Sequence, residues 1–122
     1  MKHSTGFLQI VNTAKKKIRE TTVDDVVKKL QEGEKFTFVD VREDKEWAEG
    51  RAKGAIHLGK GVIERDVENV IPDKNEPIIL YCGGGFRSAL AADALQQMGY
   101  TNVISMDGGI RVWREKGLPE EK

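Results

Sequence analysis

The sequence predicts a three-layer α/β domain, a mainly parallel central sheet flanked by helices on both faces. Two runs carry that prediction: Phe36-Thr37-Phe38-Val39-Asp40-Val41 and Ile78-Ile79-Leu80-Tyr81-Cys82. Both are β-branched or aromatic and nearly all apolar, the pattern of strands covered on both faces. The third observation is the alternation of strand candidates with helical-period segments that glycines close.

Taken in order, Phe7, Ile10, Val11, Ala14 and Ile18 fall at i, i+3, i+4, i+7 and i+11, one face of an amphipathic helix with Lys15 to Lys17 largely on its wet side. Thr22 supplies a capping hydroxyl ahead of Val23, Val26, Val27 and Leu30, and Gly33 a stop, so a short helix is predicted at about 23–31. Beyond the strand at 36–41, helical stretches are expected at Lys45–Glu49, Val62–Val70 and Ser88–Met98. The last of these carries a face of Ala91, Ala94, Leu95 and Met98 before Gly99 ends it. Shorter strands are expected at Ala55–Leu58 and Val103–Met106, and the Gly108-Gly109 turn opens a final helix at about 110–116. Pro119-Glu120-Glu121-Lys122 reads as a loose tail. The expected organisation is an N-terminal amphipathic helix extension (1–21), one domain (22–118) and the tail (119–122).

Composition narrows the function. Leu, Ile, Val and Phe make up about a quarter of the 122 residues, enough for one core without help from metal or disulfide. Twenty Lys plus Arg balance twenty Asp plus Glu, so no global field favours nucleic acid or an anionic membrane. No apolar run approaches the roughly 20 residues of a membrane helix. One cysteine, Cys82, excludes an internal disulfide and any Cys-x-x-Cys site, and His3 and His57 are too few for a His-based zinc site. No metal and no cofactor are expected, and a reducing, cytoplasmic setting is. The first 19 residues hold five basic side chains and no acid. A helix docked on the domain competes there with an organellar transit peptide, but such peptides are rich in Arg and Ser, of which this segment has one each. The apolar face of that helix must be covered by the domain or by a second copy of the chain.

The chemistry is read from Cys82-Gly83-Gly84-Gly85-Phe86-Arg87-Ser88, which follows a buried strand and opens a helix. Open α/β sheets bind ligands at the carboxyl ends of their strands, where Cys82 falls. Gly83 to Gly85 are free to adopt positive φ and turn their amides inward as an anion-binding nest, to which the helix adds free N–H groups and its positive dipole end. The first anion available to that nest is the Cys82 thiolate, the nucleophilic form of the side chain. Arg87 adds a forked donor suited to an oxyanion.

With these residues on view, the chain resembles the rhodanese-like sulfurtransferases in their single-domain form, over about 22–118. The resemblance rests on Val39-Asp40-Val41-Arg42 with Glu46-Trp47, on Gly54-Ala55-Ile56-His57-Leu58, on Cys82 to Ser88, and on Met106-Asp107-Gly108-Gly109-Ile110-Arg111-Val112-Trp113. It implies the rhodanese fold, a catalytic Cys82, and a persulfide formed from a donor such as thiosulfate and passed to cyanide, a small thiol or a thiol-bearing protein. The chain departs from the family's usual pattern at Gly50-Arg51-Ala52-Lys53 and at Ile110, where an aromatic is frequent. A persulfide carrier or docking module dedicated to one protein partner is the alternative. A phosphatase or arsenate reductase of similar fold ranks below it, because those loops hold five residues between Cys and Arg and this one holds four. Asp40 and Arg42 are read as a supporting buried ion pair, with Glu46. His57 is read as a hydrogen-bonded core histidine, Trp47 and Trp113 as core packing. Asp107-Gly108-Gly109 is either a rim loop of the site or an ordinary helix-start turn.

Overall fold

The computed structural model describes residues 3–122. In chain order they form α1 (Thr5–Lys15), β1 (Arg19–Thr21), α2 (Val23–Gln31), β2 (Thr37–Asp40), α3 (Asp44–Glu49), β3 (Arg51–Ala52), β4 (Ile56–His57), α4 (Ile63–Val70), β5 (Ile78–Tyr81), α5 (Phe86–Gln97), β6 (Val103–Met106), α6 (Gly109–Glu115) and β7 (Glu120–Glu121). Five strands make one all-parallel sheet in the order β1-β6-β5-β2-β4, while β3 and β7 form a separate antiparallel pair. The strands with the longest apolar runs, β5 and β2, are interior to the sheet, as burial on both faces requires.

The period of two along the strands sorts their side chains into two cores. Val39, Val41, Leu80 and Cys82 join Ile63 and Val67 of α4 and Ala91, Ala92 and Leu95 of α5. Phe38, Ile79 and Tyr81 face the other way, onto Val23 and Val26 of α2 and Ile110 and Trp113 of α6. The helices therefore cover both faces of the sheet, the three layers expected. Each fully buried Val, Leu or Ile contributes about 1.5–3 kcal/mol relative to exposure.

Four local features differ from the sequence reading. Residues 19–21, assigned to the extension, form the edge strand β1, with Arg19 opposite Ile104 and Thr21 opposite Met106. Its side chains are polar because an edge strand is held by backbone pairing on one side only. On α1, Val11 and Ala14 are buried against α5, but Ile10 is 55 % exposed, so the docked stripe is narrower than the apolar pattern. The tail is not loose: Glu120–Glu121 pairs with Arg51–Ala52, and Pro119 O accepts from Trp113 Nε1 (2.8 Å) and Lys53 N (3.1 Å). Trp47 is only half-buried, stacked on His57 with centroids 4.8 Å apart and with the Arg51 guanidinium 4.2 Å over its ring. Among the described residues no helix is long and apolar enough to cross a membrane.

Candidate active site

Cys82 is the first residue beyond β5, at the carboxyl end of the central strand, and its side chain is buried (1 % exposed). The chain then turns back over it. Gly85, at φ +113°, aims its N–H at Cys82 Sγ (3.1 Å), and the Ser88 N–H approaches the same sulfur at 3.4 Å. Both donors belong to the start of α5, so the positive end of that helix faces the sulfur. The Ser88 hydroxyl lies 3.6 Å from Sγ and shares a 2.8 Å hydrogen bond with Ser105 Oγ. The amides of Gly83, Gly84, Phe86 and Arg87 carry no hydrogen bond among the described residues, which leaves four further donors on the ring.

The loop is held from outside by the start of α6. Gly108 N donates to Gly84 O, Ile110 N to Cys82 O and Arg111 N to Gly83 O, at 2.9–3.2 Å. This approach needs glycine: a Cβ on Gly109, at φ +55°, would lie 2.6 Å from the Gly83 carbonyl oxygen. Asp107-Gly108-Gly109 is thus both the turn that starts α6, with Gly108 at its N-cap, and a rim of the cleft.

Asp40 and Arg42 form the expected buried ion pair, Arg42 Nη2 to Asp40 Oδ2 at 2.8 Å, and Arg42 also donates to Gly50 O at 2.7 Å. The pair braces the residues on either side of α3 and does not touch Cys82. Glu46 is not part of it. From α3 that carboxylate grips Arg87 through two bonds, to Nη1 at 2.7 Å and to Nη2 at 3.1 Å. The Arg87 hydrogen bonds hold the Glu46 carboxyl below the usual carboxylate range, and Glu46 in turn raises the Arg87 guanidinium. His57 Nε2–H donates to Arg42 O (2.8 Å), and the ring does not line the cleft over the cysteine, as a structural histidine would.

Above the loop opens a cleft of about 890 Å³. Cys82, Gly84, Phe86, Glu46, Arg87, Asp107 and Arg111 line it. Its last wall comes from the N-terminal segment. His3, Ser4 and Phe7 line it, with the His3 ring 5.0 Å and the Phe7 ring 6.1 Å from that of Phe86. Lys15 ties this segment to the rim through Glu20 (2.9 Å) and Asp107 (3.5 Å). The sequence reading did not assign Arg111, Glu46 or the 3–7 wall to the site. Arg111 stood within the motif read around Gly108-Gly109, but the other contacts join residues too far apart in sequence to be read as one motif.

The rhodanese-like domain family matches residues 22–116. The thiosulfate sulfurtransferase GlpE of Actinobacillus pleuropneumoniae is 34% identical over 92 residues, covering 75% of this chain and 83% of its own length. The polysulfide-sulfur transferase homodimer of Wolinella succinogenes superposes with a TM-score of 0.79 at 29% identity, over 95% of this chain and 87% of that one. A Rhodopseudomonas palustris structure described as a possible tyrosine phosphatase superposes with a TM-score of 0.87 at 27% identity, over 99% and 98%.

Proposed function

The chain belongs to the rhodanese-like domain family, and from that premise we propose that it is a thiosulfate-type sulfurtransferase working through a persulfide on Cys82. The observation that carries the reading is the loop itself, two backbone N–H groups on Sγ and four more loop amides that carry no hydrogen bond among the described residues. In the first half-reaction the Cys82 thiolate forms a bond to the outer sulfur of thiosulfate, the S–S bond of the donor breaks, and its electron pair leaves on sulfite. The terminal sulfur of the new persulfide carries the negative charge that the free amides solvate without reorganising. In the second, cyanide or a thiolate attacks that terminal sulfur and the electron pair returns to Sγ, so the cycle needs no cofactor. Because Cys82 is the only cysteine, the acceptor thiol comes from another molecule, a small thiol or a protein partner.

Intact mass spectrometry after incubation with thiosulfate tests this. One added sulfur atom, removed by dithiothreitol and absent from Cys82→Ser, is the expected result. The phosphatase description of one structural neighbour supplies the second reading. A ring with four residues between Cys82 and Arg87 suits one sulfur atom better than a tetrahedral phosphoryl group, which needs more converging donors. Robust aryl phosphate hydrolysis without any persulfide on Cys82 would reverse the order.

A further inference from the structure

Two guanidinium groups reach the cleft beside Cys82, and they differ in what already holds them. Arg87 is spent: both of its terminal nitrogens sit on the Glu46 carboxylate, and the pair has no net charge to offer an incoming anion. Arg111 makes no salt bridge or side-chain hydrogen bond among the described residues. The nearby acid, Asp107, is engaged by Lys15. The backbone of Arg111 is nevertheless fixed to the loop, through its N–H to Gly83 O at 3.1 Å. Its guanidinium lies over Gly84, 3.8 Å from where a Cβ on that glycine would stand. An exposed cation with no counter-ion among the described residues thus stands over the loop on an anchored backbone, its guanidinium beside Gly84, two residues from the nucleophile.

We propose that Arg111, not the loop arginine Arg87, binds the oxyanion end of the sulfur donor, and that this selects thiosulfate and organic thiosulfonates over donors with a cationic end. The inference rests on the sulfurtransferase reading. A thiosulfate whose outer sulfur meets Cys82 Sγ directs its three oxygens away from the ring, toward the open cleft. A guanidinium fork matches such oxygens with paired hydrogen bonds, and these tighten as the electron pair moves onto the departing sulfite. Arg87 and Glu46 instead fix the side of the loop.

The test compares thiosulfate with cysteamine hydropersulfide, which gives its outer sulfur to Cys82, releases cysteamine thiolate and carries an ammonium at its far end. Arg111→Gln is expected to lower kcat/KM for thiosulfate about tenfold or more, a charged hydrogen bond being lost, and to leave the hydropersulfide within about twofold. Arg111→Lys is expected to recover part of the thiosulfate rate, while Arg87→Gln lowers both donors alike. Equal effects of Arg111→Gln on the two donors, or a thiosulfate-selective loss in Arg87→Gln with none in Arg111→Gln, would overturn the assignment. Absence of a persulfide on wild-type Cys82 from either donor would instead remove the sulfurtransferase reading itself.

Discussion

At the scale of single residues, the site depends on atoms that are not there. Gly109 lets α6 lie against the cysteine loop, and a methyl group at that position would meet the Gly83 carbonyl oxygen in a backbone conformation unfavourable to any L side chain. Gly109→Ala is expected to destabilise the fold by about 3 kcal/mol and to lower sulfur transfer with it, measured by urea unfolding beside a thiosulfate:cyanide assay. A loss under about 0.5 kcal/mol would mean that the loop yields instead. Glu46 provides a second case. Its carboxyl is held below the usual range by Arg87, so the pair contributes stability above the unfolded-state value of about 4.3 and loses it as pH falls through the lower folded-state value. Glu46→Gln should therefore be less stable than the wild type at pH 7, and the gap should begin to narrow below the unfolded-state value of about 4.3 and close as pH falls through the lower folded-state value. Unfolding curves at pH 7, 5 and 3 check this, and a gap that widens in acid would contradict it.

At the scale of elements, α5 joins nucleophile, dipole and cleft wall. One residue inserted after Gly85 should carry the Ser88 amide and the start of α5 off Sγ and lower persulfide formation at least about tenfold, read by mass spectrometry. Helix α1 docks on α5, so removal of residues 1–17, which spares β1, should leave Cys82 able to form a persulfide. It should also lower stability by about 2–4 kcal/mol through the lost burial of Val11 and its neighbours. Complete loss of activity in a folded truncation would make the wall of His3, Ser4 and Phe7 essential rather than supporting. The same elements show what a sequence makes legible. The β5–loop–α5 unit announces itself, since a buried strand, three glycines, Cys82 and Arg87 are contiguous. So do β2 and the Asp40–Arg42 pair, whose partners are two residues apart. Strand β1 does not, because Arg19-Glu20-Thr21 needs no apolar alternation to pair along one edge. Nor do β3 and β7, two residues each, or the Glu46–Arg87 grip, which joins elements 41 residues apart. Arg111 was visible as a residue, but that it has no counter-ion among the described residues belongs to the assembled cleft.

At the scale of the whole molecule, the sheet order has a consequence for how the protein is made. Strand β1 has one neighbour, β6, and Arg19 lies opposite Ile104, so the first strand synthesised waits for nearly the last. At roughly 5–20 residues per second a ribosome takes on the order of ten seconds to cover that interval. During it β1 has no edge to join, and α1 has only α5 to rest on after residue 97 has emerged. Nascent chains arrested before residue 103 should be digested readily by a pulse of protease, and those arrested once α6 has cleared the exit tunnel should resist. The nucleophile is therefore translated well before the segment that clamps its loop, and a chain still on the ribosome holds a cysteine whose nest has not yet closed.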